Sequence, residues 1–227
     1  MKWLSQPRRI SPLIRTFPRP KKKLLKKMHI LCEGEKTEPF YIKGYVLAYA
    51  PNKANVICVP DVKYNTPVAL VDEAIRLKNS RDTSGDDEFW VVYDREAVAK
   101  YSHKLHDQAR TKANANGINI AFSNVCFELW LLQHFDYRNR PYTCCDDLLR
   151  NSPLKADLLK VGVKNYAKGD PHLFTKIQGG VTNARARAEA LNRESLLTAA
   201  NGATQPHMLS VYTDIHLLLN AIDAFQP

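Results

Sequence analysis

Three features of the chain predict an α/β fold with a central parallel sheet, flanking helices and a helical C-terminal part. From residue 28 short β-prone runs alternate with longer helix-like segments, the order that builds a sheet covered by helices. The run EFWVVYD, residues 88–94, is apolar through its centre, as expected of a strand buried on both faces. After residue 123 the β-prone runs fade and apolar residues recur at helical spacing.

The elements follow in order. MHILC (28–32) reads as the first strand, and a helix runs from about Thr37 to Ala50. Thr37 is a candidate N-cap for it, Pro39 suits an early helical position, and Glu35 and Glu38 complement the positive end of the helix dipole. NVICVP (55–60) is the second strand, followed by a helix from about Thr66 to Asn79, and EFWVVYD is the third. HKLHDQARTKANANG then forms a helix ended by Gly117, and INIAFS (118–123) is the fourth strand. In VCFELWLLQHF helical spacing aligns Phe127, Trp130, Leu131 and His134, with Asn124 as the expected cap. Further helices are expected over 146–160, 181–200 and 210–224. The domain reading is an arm over 1–27, an α/β domain over 28–140 and a helical part over 141–227 packed on it.

Charge is unevenly placed. Residues 1–27 carry ten Lys or Arg, four prolines and no acid, whereas the rest of the chain balances 23 basic against 23 acidic side chains. The tail reads as a flexible basic arm, either a solubilising start or a segment that touches phosphate backbones. It lacks the apolar stretch of a secretory signal, and no run reaches the ~20 apolar residues that span a bilayer, so no membrane partner is expected. Five cysteines without a C-x-x-C pair argue against a disulfide framework and for a reducing, cytoplasmic setting.

Two strand ends carry acids. Glu33 and Gly34 follow the first strand, and Asp94, Arg95 and Glu96 close the third. The carboxyl edge of an open parallel sheet is where ligands bind, and carboxylates gathered there repel one another unless a cation or protons intervene. An all-oxygen donor set of this kind suits Mg²⁺, or Mn²⁺. Arg95 contacts a phosphate or pairs with an acid. Glu128, alone in charge among large apolar neighbours, either reaches into the site or lies on a solvated face. His134 reads as a satisfied core histidine, and His103 and His106, at i and i+3, have no third partner for a zinc site. Arg185, Arg187 and Arg193 read as a solvated helix face; the alternative is contact with phosphate, to which Lys164, Lys168 and Lys176 would add.

ILCEGEKTEPFYIKGY, VVYDREAVAK and NVCFELWLLQHF together resemble the RloB family of prokaryotic defence-associated proteins, and the Glu-Gly and Asp-x-Glu strand ends resemble the Toprim domain of topoisomerases, primases and several nucleases. The resemblance implies a Toprim/Rossmann-like sheet, with Glu33 as acid, base or metal ligand, Asp94 and Glu96 as metal carriers, and Glu128 as a further catalytic candidate. The function it implies is Mg²⁺-dependent cleavage of nucleic acid in abortive infection, with DNA and RNA equally open. An ATPase partner is implied as well, since the chain has no G-x-x-x-x-G-K-[ST] loop, and self-association is left open. The rival is a catalytically weak nucleic-acid-binding or interaction subunit. A third reading, nucleotidyl transfer, has less in its favour.

Overall fold

The computed structural model describes residues 25–61 and 66–227. Most of the arm read over 1–27, and the charges read into it, therefore lie outside the described residues. Its last two lysines are engaged: Lys26 pairs with Glu88 at 2.5 Å, and the Lys27 amide donates to Asp87.

Four parallel strands form the body of the sheet: β1 (Met28–Cys32), β2 (Ile57–Cys58), β3 (Glu88–Asp94) and β4 (Asn119–Asn124). A fifth, β5 (Tyr212–Thr213), joins β4 antiparallel, giving the order β2-β1-β3-β4-β5. The antiparallel edge adds to the expected central parallel sheet. The helices are α1 (Thr37–Tyr49), α2 (Pro67–Lys78), α3 (His103–Ala115), α4 (Glu128–Gln133), α5 (Cys145–Asn151), α6 (Leu154–Lys160), α7 (Leu173–Ile177), α8 (Val181–Leu197) and α9 (Ile215–Ala224). The single helix expected over 146–160 is two, divided at Ser152 and Pro153, where proline ends the hydrogen-bond ladder. No helix among the described residues is long and apolar enough to cross a membrane.

Alternation along the strands sorts the core into two layers. Ile30, Cys32, Trp90 and Val92 face α1 and the C-terminal helices, whereas Leu31, Phe89, Val91 and Tyr93 face α2 and α3. By the same period-two rule Asp94 falls on the side of Trp90 and Val92. The chain leaves β1 for α1 on one layer and β3 for α3 on the other. The carboxyl ends of β1 and β3 therefore flank the point where the connections diverge, the usual ligand crevice of an open α/β sheet.

Two side-chain caps form, and the two caps read from the sequence do not. Thr66 Oγ1 accepts from the Ala69 amide and Ser102 Oγ from Leu105. At α1 the cap position is Lys36, with Thr37 already helical and buried. Asn124 does not cap α4, because its amide donates to the Leu209 carbonyl, tying β4 to the segment before β5.

His134 is the satisfied core histidine expected: its ring bonds the Tyr41 hydroxyl at 2.9 Å and the Ile177 carbonyl at 3.0 Å, and burial holds its pKa down near about 4. Gly180 lies against the same corner, where an added Cβ would stand 2.5 Å from the His134 carbonyl oxygen. Because that neighbour is backbone, we expect Gly180→Ala to cost about 1–3 kcal/mol, read from the midpoint of urea unfolding.

Candidate active site

The crevice at the ends of β1 and β3 opens into a cavity of about 540 Å³. Its walls carry Glu33, Glu38, Asp94 and Glu96, and its rim Lys36, Lys100 and Lys168. Glu33 and Asp94, separated by 61 residues, are in direct contact: the Asp94 amide donates to Glu33 Oε2 at 3.3 Å. The other oxygen of Glu33 accepts from the Tyr101 hydroxyl at 2.8 Å. Burial raises the Glu33 pKa, and these two hydrogen bonds oppose the rise without cancelling it.

Asp94 closes β3 and its side chain is buried. Glu96 sits one turn of backbone further, with φ of 56°, a left-handed conformation costing about 1–2 kcal/mol in a non-glycine residue. That kink ends the strand at Asp94 and leaves Glu96 at the mouth, paired with Lys100 at 3.0 Å. Asp94 and Glu96 thus meet at the strand end and not along one strand face.

Arg95, between them, pairs with no acid among the described residues. It is buried at 3% exposure, where Nε donates to the His207 carbonyl at 2.9 Å and Nη1 to that of Tyr101 at 2.8 Å. By holding the Tyr101 backbone, Arg95 sets the hydroxyl that Glu33 accepts. We expect Tyr101→Phe to raise the Glu33 pKa by about one unit or more, since a hydrogen bond to an ionised group is worth roughly 1.5–3 kcal/mol. Carbon-13 NMR of labelled glutamate carboxyls reads that shift directly.

Glu38 is the residue that sequence reasoning missed. It was assigned to the helix dipole, yet it is 8% exposed and its carboxyl turns back over Gly34, where a Cβ would meet Glu38 Oε2 at 2.0 Å. Burial, and then the charge of Glu128, push its pKa up to about 7. Asp94 is raised well above the carboxylate range, first by burial and then by Glu38, Glu128 and Glu33. The legible signal was the helical spacing of 38, 41, 42 and 45, which puts Glu38 on the stripe that Tyr41, Ile42 and Tyr45 bury.

Glu128 is buried at 1% exposure, so it does not lie on a solvated face, but it stands behind the cavity wall. Its Oε1 accepts from Tyr166 at 3.2 Å and lies 3.5 Å from Lys168, while Oε2 accepts from the Cys145 thiol at 3.3 Å. Lys168 reaches the site because Gly169, at φ of 98°, folds its loop against Lys36. Other basic candidates go elsewhere. Arg185 pairs with Asp223 at 2.8 Å, Arg187 donates to the Gln133 carbonyl, and Lys176 pairs with Asp170.

The carboxylates of the wall are the donor type that a hard divalent cation takes, typically one or two with the remaining positions left to water and phosphate, and no three of them among the described residues bring their oxygens within 4.8 Å of one another. Without a cation, burial and mutual repulsion favour the protonated forms of Glu38 and Asp94, and both pKa values are raised. A family model described as RloB-like protein matches residues 28–222 of the chain. No curated protein and no solved structure matches it at a significant level.

Proposed function

The chain belongs to the RloB-like protein family, and from that premise we propose that it is a Toprim-type, Mg²⁺- or Mn²⁺-dependent nuclease-like effector of a prokaryotic anti-phage defence system. The observation that carries this reading is the contact between Glu33 and Asp94 across the ends of β1 and β3, with Glu38 and Glu96 on the same cavity. Nucleic acid is the substrate class it favours, since lysines rim an acidic floor: the rim holds phosphates while the floor suits the ion.

A bound divalent ion in such a site supplies Lewis-acid polarisation of phosphoryl oxygen and a more acidic water. Asp94 and Glu38 would hold it, with Glu96 at the mouth. Glu33 is the proton carrier: its carboxylate is aimed by Tyr101 and the Asp94 amide, and burial moves its pKa upward, toward that of a general base working near neutrality. Lys100 and Lys168 offset charge on a phosphate entering the cavity. Glu128 acts on the site through charge, raising Asp94 and Glu38 from behind. Cytoplasmic action under the control of an ATPase partner belongs to the same proposal, because an uncontrolled nuclease endangers its host and the chain carries no P-loop of its own.

The test is incubation of the purified chain with labelled DNA and RNA under Mg²⁺, Mn²⁺ or chelator, with and without a co-expressed ATPase. Metal-dependent shortening of either polymer is expected. Incorporation of nucleotides without shortening would make it a transferase. Retention of nucleic acid with no turnover under every condition would leave the second reading, a catalytically weak binding subunit, which the pairing of Glu96 with Lys100 favours.

A further inference from the structure

Behind the acidic wall, two segments of chain bring thiol and carboxylate donors to one point. Cys126 follows β4, Glu128 opens α4 and Cys145 opens α5, and their ligand atoms all lie within 4.8 Å of one another. All three residues are buried. The Cys145 Sγ to Glu128 Oε2 separation is 3.3 Å. Bonds of about 2.0–2.3 Å to a tetrahedral zinc ion set neighbouring ligands roughly 3.3–3.8 Å apart, so this pair already has the spacing that a shared ion requires.

From this geometry we propose that Cys126, Cys145 and Glu128 form a binding site for Zn²⁺, distinct from the all-oxygen cavity on the other side of Glu128. The donor chemistry separates the two. Thiolates select a soft or borderline ion such as zinc and reject Mg²⁺, whereas the cavity offers only carboxylates.

The surroundings of Glu128 are those of an oriented ligand. Its Oε1 is occupied by the Tyr166 hydroxyl and the Lys168 ammonium, which leaves Oε2 facing the sulfur. Charge also balances. Two thiolates and one carboxylate carry three negative charges, against two positive on zinc and one on Lys168. Binding releases the two thiol protons to solvent and changes no oxidation state. Three protein ligands leave a fourth position for water or a further side chain. The histidines nearest Arg95 do not compete for this role: His106 and His207 stack with ring centroids 5.4 Å apart, and His103 lies tilted against His207.

The inference does not depend on nuclease activity, and its test reads the metal itself. Full-length protein purified without chelator should contain stoichiometric zinc by elemental analysis. Exchange into cobalt(II) should give the near-ultraviolet thiolate-to-cobalt charge-transfer band. Cys145→Ser and Cys126→Ser should lose most of that band, and Cys144→Ser, which leaves the three donors in place, should keep it. Folded wild-type protein that takes up neither ion, or binds cobalt without the thiolate band, overturns the proposal. So does a band that survives Cys145→Ser, or recovery of a Cys126–Cys145 disulfide after alkylation under non-reducing conditions. Because the wild-type spectrum decides first, a serine variant that fails to fold does not rescue it.

Discussion

Asp94→Asn is expected to lower metal-dependent cleavage by roughly a hundredfold or more, beyond the ten- to hundredfold typical of losing an outer-shell partner of a metal. The replacement is isosteric, so the packing of β3 against β1 and β4 is retained. The charge that would hold the cation is not. The charged form of Asp94 is also disfavoured in the absence of metal, by burial and by Glu38, Glu128 and Glu33. The variant should therefore unfold at the same or higher denaturant concentration than wild type in chelator. Loss of cleavage with retained or increased stability separates a role in metal binding from one in folding. Wild-type cleavage rates in the variant would refute the assignment.

The second large effect is on stability and belongs to Glu38. Its carboxyl has an ordinary value of 4.5 and is raised to about 7 in the folded protein, chiefly by burial and then by Glu128. Between those values the folded state keeps a proton that the unfolded state has released, so stability falls as pH rises through the window. The loss is complete above about pH 7 and is on the order of 3 kcal/mol. Buried histidines run the other way. His106 and His134, held down to about 3 and about 4 by burial, lose stability as pH falls below their ordinary range. The comparison that isolates Glu38 is therefore wild type against Glu38→Gln. In chelator the variant should gain stability relative to wild type between pH 5 and pH 8, and saturating Mg²⁺ should shrink that gain by stabilising wild type. Parallel profiles for the two proteins would show that Glu38 is not a buried acid of this cluster.

Where the sequence was legible, one local rule acted without competition. β1 and β3 have the residues their patterns predict, and the carboxyl ends of those strands hold Glu33 and Asp94 in contact. Glu38 was obscured because two explanations applied to one residue: an acid in the first turn of a helix serves the dipole, and only the i, i+3, i+4, i+7 stripe shows that it is turned inward. The cap assigned to Asn124 failed because α4 begins later, with Phe127 in the cap position, and the Asn124 side-chain amide donates to the Leu209 carbonyl. β5 left no trace because two residues cannot show a period, and its free backbone groups are completed by a side chain: Asn192 of α8 both donates to and accepts from Thr213 at 2.9 Å.

That last arrangement bears on how copies of the molecule meet. Both lateral borders of the sheet, β2 and β5, are two residues long, and a helix side chain already occupies Thr213. A border so short offers almost no ladder for a foreign strand to extend. Edge-to-edge association of two such sheets is therefore disfavoured at either border.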